Sequence, residues 1–240
     1  MINNIWNDVR TVMAGDSTGH DIEHVKRVYD IAMMITQQEE CDAEVVGLAA
    51  LLHDVDDYKL FGQDAADNLL NARKIMLKNN VSQVIQERVC NIIRNMGYSN
   101  AIKEVRPDCI EGKIVSDADM LDAIGACGVV RCLTYAIARC ETVVFDKDVF
   151  PVIDMSSDEY KQPNRKSDNF VNHFFEKLLK LKNMMFTDYA KKEAEVRHKI
   201  MVDFLKAFFR EQNLSEWLDY LCNYENQNKI IGGEYENFGA

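Results

Sequence analysis

Residues 45–52 read Val-Val-Gly-Leu-Ala-Ala-Leu-Leu and run directly into His53-Asp54-Val55-Asp56-Asp57. Two turns that are apolar on every side can persist only as a helix buried among other elements. That helix ends in an imidazole beside three carboxylates. Carrying an ionised carboxylate into an apolar interior costs several kcal/mol unless something compensates it. A divalent cation is the simplest compensation, because neutral His and ionised Asp are ligands as they stand. Such a chain needs further helices to cover residues 45–52 and further ligands to complete the site.

Helices are what the rest of the sequence offers. Only 3 Pro and 11 Gly interrupt 240 residues, and apolar residues recur at steps of three and four. The spacing predicts helices over residues 2–14, about 20–37, about 42–54, 64–78 and 81–94. Another is expected from Glu111 to about Glu141, with Gly125 and Gly128 admitting a close neighbour. Two long ones follow over about 167–186 and 187–212, then a short one near 215–222. No strand-like alternation competes, so the expected class is all-α. Residues 145–167 form the longest irregular stretch, and Lys161, Arg165 and Lys166 make it a candidate lid over an anion. The tail, 223–240, is assigned no element. One domain over 1–222 is expected, with the metal motifs within 18–125 and a C-terminal helical part over 167–222.

Charge and cysteine usage narrow the function classes. A formal net charge of −11 repels nucleic-acid backbones, so long DNA or RNA is an unsuitable partner, whereas a small anion can still find a locally positive pocket. No apolar run approaches the ~20 residues needed to span a bilayer. The start lacks the basic and apolar regions of a signal peptide. The 7 Cys are scattered without a Cys-x-x-Cys pair, which disfavours a disulfide framework or zinc ribbon. The expectation is a reduced cytoplasmic protein without a membrane partner, and the composition leaves a homodimer open.

Among five His, His24 and His53 fall on or beside buried faces, and the carboxylates best placed to join them are Asp54 and Asp117. Two imidazoles and two carboxylates suit Mn, Fe, Co or Ni better than a closed structural zinc. Such a metal acidifies bound water and polarises a phosphoryl oxygen. Asp57 follows His53 by four residues and Asp54 by three, so a continuing turn would let it hold or deprotonate that water. Candidates for substrate contact are His20, Arg27, Lys59, Asp122, His173 and Lys177. His20 could equally pack at a helix start, Arg27 could pair with Asp21 or Glu23, and Asp119 and Asp122 could serve as supporting or surface carboxylates. His173, Lys177 and Lys180, at i, i+4 and i+7, form a basic helix face or a solvated one.

These motifs resemble the HD superfamily of metal-dependent phosphohydrolases. Residues 19–28, Gly-His-Asp-Ile-Glu-His-Val-Lys-Arg-Val, are similar to its first motif, with His24 in the ligand position. Ala49-Ala50-Leu51-Leu52-His53-Asp54 resembles the second motif, and Ser116-Asp117-Ala118-Asp119 the third. Leu121-Asp122-Ala123-Ile124-Gly125 and His173-Phe174-Phe175-Glu176-Lys177-Leu178 resemble segments of the small stand-alone bacterial members, so the likeness covers about residues 18–210. The resemblance implies an all-helical HD-domain bundle with additional C-terminal helices. It implies one divalent metal (Mn first, then Co, Ni, Fe or Mg) held by His24, His53, Asp54 and Asp117. Two-metal members carry extra His between the second and third motifs, and this chain has none from Val55 to Ser116. In some members an acidic residue at the Asp57 position activates water, although Glu is the familiar one. The resemblance also implies hydrolysis of a small phosphorylated substrate, a nucleotide foremost. Cleavage of a nucleoside triphosphate to monophosphate and pyrophosphate stands ahead of phosphomonoester hydrolysis. A non-catalytic nucleotide or metal sensor is the alternative from another class, and an intact ligand set with Asp57 argues against it.

Overall fold

The computed structural model describes every residue except 15–21, 58–60, 139–143, 163–164, 166 and 236–240, and the side chains of 161 and 228–235 also lie outside the description. The described residues are helical with no strand, as the sequence predicts. The helices are α1 (Ile2–Val12), α2 (Ile22–Ile35), α3 (Ala43–Leu52), α4 (Gln63–Asn68), α5 (Leu70–Lys78), α6 (Gln83–Asn95) and α7 (Tyr98–Ile102). After them come α8 (Ile110–Asp122), α9 (Gly125–Ala138), α10 (Ser157–Lys161), α11 (Phe170–Glu176), a 3-10 helix (Leu178–Met184), α12 (Asp188–Glu211) and α13 (Ser215–Tyr235). No single helix among them is long and apolar enough to cross a membrane.

The apolar run forms α3. Asp42 caps its first turn by accepting from the Val45 N–H, and every residue from Val45 to Leu52 is buried. α2 and α8 pack against it, and the three share an apolar core with α1, α5 and α6. A second core gathers the end of α8 with α9, α11, the 3-10 helix, α12 and α13 around Phe174, Phe175, Phe209 and Trp217. α8 serves both: Ile114, Val115 and Ala118 belong to the first core, and Met120, Leu121 and Ile124 to the second.

Four predicted elements differ from what forms, and each difference has a tertiary cause. The helix expected over 64–78 breaks at Leu69, a buried residue in left-handed backbone (φ 53°). The helix expected to continue to Glu141 turns by 70° between α8 and α9. Gly125 sits there at φ +77°, and a Cβ on Gly128 would lie 2.2 Å from the Ala123 carbonyl oxygen, so both glycines are required by the corner. The helix expected over 167–186 stops at Glu176 because Tyr224 and Tyr98 donate their hydroxyls to the carbonyls of Phe175 and Glu176, and 3-10 geometry resumes at Leu178. The short C-terminal helix instead runs on to Tyr235, into the stretch read as an unstructured tail. Within 145–167, Ser156 and Glu159 form a capping box that starts α10. Arg165 is committed there to Glu176 and lies over the Tyr160 ring, so it helps to hold the segment down.

Candidate metal centre

Three elements bring four side chains to one point. His24 projects from the first turn of α2, His53 is the C-terminal cap of α3, Asp54 follows it, and Asp119 comes from α8. The Nε2 atoms of His24 and His53 are 3.2 Å apart. Asp54 Oδ2 lies 3.3 Å and 3.4 Å from them, and Asp119 Oδ1 3.5 Å and 4.0 Å. His24, His53 and Asp54 are withdrawn from solvent, whereas the Asp119 side chain is 28% exposed. The cluster therefore opens outward past Asp119.

The hydrogen bonds behind the imidazoles decide what the Nε2 atoms offer. His53 Nδ1 is 2.8 Å from the Ala50 carbonyl oxygen, which can only accept, so Nδ1 carries the proton. His24 Nδ1 is 2.8 Å from Asp122 Oδ2 and donates to it. In the neutral rings both Nε2 atoms then present lone pairs to each other and to two carboxylates, which repel unless a cation stands among them. Electrostatics state the same demand: burial pushes the His24 imidazolium down, but the Asp122 and Asp54 carboxylates outweigh it and hold its pKa up at about 9. The carbonyl end of α3 adds negative potential.

The donor set fits a divalent ion. Bonds of ~2.1 Å give adjacent-ligand separations of about 3.0 Å in octahedral and ~3.4 Å in tetrahedral geometry. Four of the separations, 3.2–3.5 Å, fall close to that range and the fifth, Asp119 to His53, is wider at 4.0 Å; ligating atoms of His24, His53 and Asp119 all lie within 4.8 Å of one another. A divalent ion would need only a small inward shift of Asp119.

Behind the ligands stands Asp122, fully buried. It accepts from His24, from Arg27 through Nε (2.6 Å) and Nη2 (3.1 Å), and from Arg131 of α9 (2.9 Å). Burial alone would raise its pKa, but His24, Arg27 and Arg131 hold the carboxyl well below the usual range. Asp56, also buried, turns away from the cluster and accepts from the Asn71 and Ala72 N–H groups at the start of α5. That bond pins the His53–Asp57 turn to the first core.

The third-motif ligand expected at Asp117 is corrected to Asp119. Residues two apart on a helix point ~200° away from each other. Asp117 faces the second core, where its oxygens accept from the Phe186 N–H (2.9 Å), the Thr187 N–H (2.7 Å) and the Thr187 hydroxyl (2.8 Å), capping the approach to α12. Asp119 and Asp122, three apart, share the opposite face and touch the two nitrogens of one imidazole.

Arg27 and Asp122, expected as substrate contacts, bind each other, and Asp122 orients His24. Arg131 and Asp56 were not anticipated, and no spacing announces them. Asp57 is half-buried, with its N–H on the Asp54 carbonyl, one turn past the ligands. The continuous basic face of His173, Lys177 and Lys180 does not form, because the helix stops at Glu176, between His173 and Lys177. His173 stacks on Tyr160, Lys177 lies over the Tyr98 ring, and Lys180 donates to the Ile153 carbonyl. His20, Lys59 and Lys166 lie outside the described residues, as does the Lys161 side chain.

A family model for the HD domain matches residues 21–124. The uncharacterised protein YpgQ of Bacillus subtilis is 35% identical over 199 residues, covering 82% of this chain and 87% of YpgQ. A crystal structure of B. subtilis YpgQ in complex with ADP superposes with a TM-score of 0.66 at 31% identity, over 88% of this chain and 97% of that one. A Lactobacillus plantarum structure gives 0.78 at 31% identity, over 88% and 96%. An HD-superfamily hydrolase from Bacillus thuringiensis gives 0.66 at 33% identity, over 88% and 96%. The chain is a member of the HD-domain family.

Proposed function

We propose that this protein is a metal-dependent phosphohydrolase acting on a nucleotide, and that it releases pyrophosphate from nucleoside triphosphates. The observation that carries the reading is the convergence of His24, His53, Asp54 and Asp119 on a point that demands a cation and opens to solvent on one side. Those four residues would hold one divalent ion, with Mn the first choice for a mixed N/O set. Bound there, the ion supplies a water of lowered pKa and polarises a phosphoryl oxygen. Asp57, one turn beyond the ligands, accepts the proton of the attacking water. Asp122 fixes the His24 tautomer, and Arg27 and Arg131 keep Asp122 ionised for that task. Lys177 and His173 offset phosphate charge from the C-terminal half. A nucleotide substrate is supported by the ADP complex of YpgQ, and the triphosphate reaction by the resemblance to small stand-alone members of the family.

The test is a substrate screen on protein stripped with chelator and reloaded with Mn, Co, Ni or Mg, with phosphate and pyrophosphate measured separately. Pyrophosphate from triphosphates, absent in the stripped protein, is the expected result. Phosphate from monophosphates would replace it with the phosphomonoesterase reading. Nucleotide binding without turnover under every metal would make the protein a sensor.

A further inference from the structure

α9 works on two sides. Its sole charged residue, Arg131, turns inward to Asp122. Its outer side carries Val130, Leu133 and Ile137, which are 64%, 36% and 61% exposed and follow one another at helical spacing. The stripe starts at Cys127, which lines a groove of about 370 Å³ between α2, α9 and α12. Met34 of α2 and Val196 and Ile200 of α12 continue the apolar surface across that groove, at 48%, 59% and 42% exposure. The charges lining the groove are engaged locally, Arg27 with Asp122, Asp30 with Lys26, and Arg197 with Glu193 and the Leu121 carbonyl.

We propose that this face is the contact between two copies of the chain. In a protein with 28% charged residues, a helix side of ten residues or more without an outward charge has the composition of an interface core. Six side chains at these exposures present roughly 500 Å², so two copies would together bury about 1,000 Å², the lower bound for a specific interface. A ridge beside a groove suits a two-fold contact, in which the stripe of each copy enters the groove of the other. Charge selects the same occupant. A basic partner would be drawn to the acidic remainder of the surface. A second copy, itself at −11, meets least repulsion where the stripe carries no charge and the charges of the groove are already paired.

The full chain is examined by sedimentation across concentration, and a species of twice the chain mass is expected. Val130→Glu and Ile137→Glu together should give monomers with unchanged helical circular dichroism, while Val84→Glu, at a 72% exposed site on α6, should leave the dimer intact. If the double variant fails to fold, maleimide labelling of the wild-type protein still decides. Cys127 should react at least ~10-fold more slowly at dimer-forming concentration than on dilution, with exposed Cys222 unchanged as the internal reference. A wild-type monomer at high micromolar concentration, a dimer that survives both charges, or Cys127 labelling independent of concentration would overturn the proposal. A monomer that instead floats with neutral phosphatidylcholine vesicles would reassign the face to a lipid surface.

Discussion

Replacing Asp117 and Asp119 in turn by alanine separates two roles that lie two residues apart. Asp117→Ala leaves the Phe186 N–H, the Thr187 N–H and the Thr187 hydroxyl without their acceptor in a buried site. An orphaned buried donor costs roughly 1–3 kcal/mol. Relief of the carboxylate's own desolvation, which raises the Asp117 pKa, offsets part of the sum. A net loss of about 3 kcal/mol is expected, equivalent to a fall in Tm of roughly 6–12 °C for a chain of this size. Asp119→Ala removes a partly exposed carboxylate from beside another, so the metal-free Tm should move by no more than ~2 °C, within the usual range for surface changes. Metal reverses the order. At a hundredfold excess over Kd, Mn should stabilise the wild type and Asp117→Ala by about 2.7 kcal/mol, and should leave Asp119→Ala almost unshifted. Differential scanning fluorimetry with chelator and with Mn reads all six states. A normal metal-free Tm for Asp117→Ala combined with a lost Mn shift would refute the argument and return the ligand role to Asp117.

Asp122→Asn keeps the shape behind His24 but removes the charge that fixes its tautomer, so Mn affinity by calorimetry should weaken about 10–100-fold; an unchanged Kd would show that Asp122 serves stability alone. Asp57→Asn should retain the metal and lose roughly 10²–10⁴ in turnover, and loss of the metal instead would make Asp57 a ligand. Burial raises the Tyr98 phenol from the ordinary 10 to about 12. Its neutral form therefore contributes stability that is complete below pH 10 and disappears as pH rises through about 12. Absorbance at 295 nm followed with circular dichroism should show this phenol ionising as helix is lost in the wild type, and Tyr98→Phe should lack that component; ionisation near pH 10 with helices intact would contradict the burial.

What was legible in the sequence was whatever local pattern controls. The uniform apolarity of residues 45–52 announced α3 and its burial, and the abrupt His53-Asp54 at its end announced the site. His24 was legible because it flanks an amphipathic stripe. The choice between Asp117 and Asp119 was not, because both sit on a helix with buried residues on several sides, and the deciding contact arrives with Phe186 and Thr187, nearly 70 residues later. The breaks at Leu69, Gly125 and Lys177 were hidden for a related reason. Leu69 ends a helix against its own preference to fill the core, and α11 ends where Tyr98 and Tyr224 take its carbonyls. Arg131 was read only as part of a helix because nothing near it in sequence names Asp122 as its partner.

The tether from Asp117 to Thr187 also orders events in time. A ribosome releases the chain from its N-terminus, so all four residues of the metal cluster emerge well before Thr187. Until Phe186 and Thr187 arrive, α8 carries a carboxylate meant for burial with no donor to receive it, and only Ile114, Val115 and Ala118 on its first-core side set its rotation. The second-core contacts of α8 thus wait for the C-terminal half of the chain. A fragment ending near residue 138 would hold all four residues of the cluster and still lack the Phe186 and Thr187 donors that receive Asp117, so it should be less stable than the whole chain.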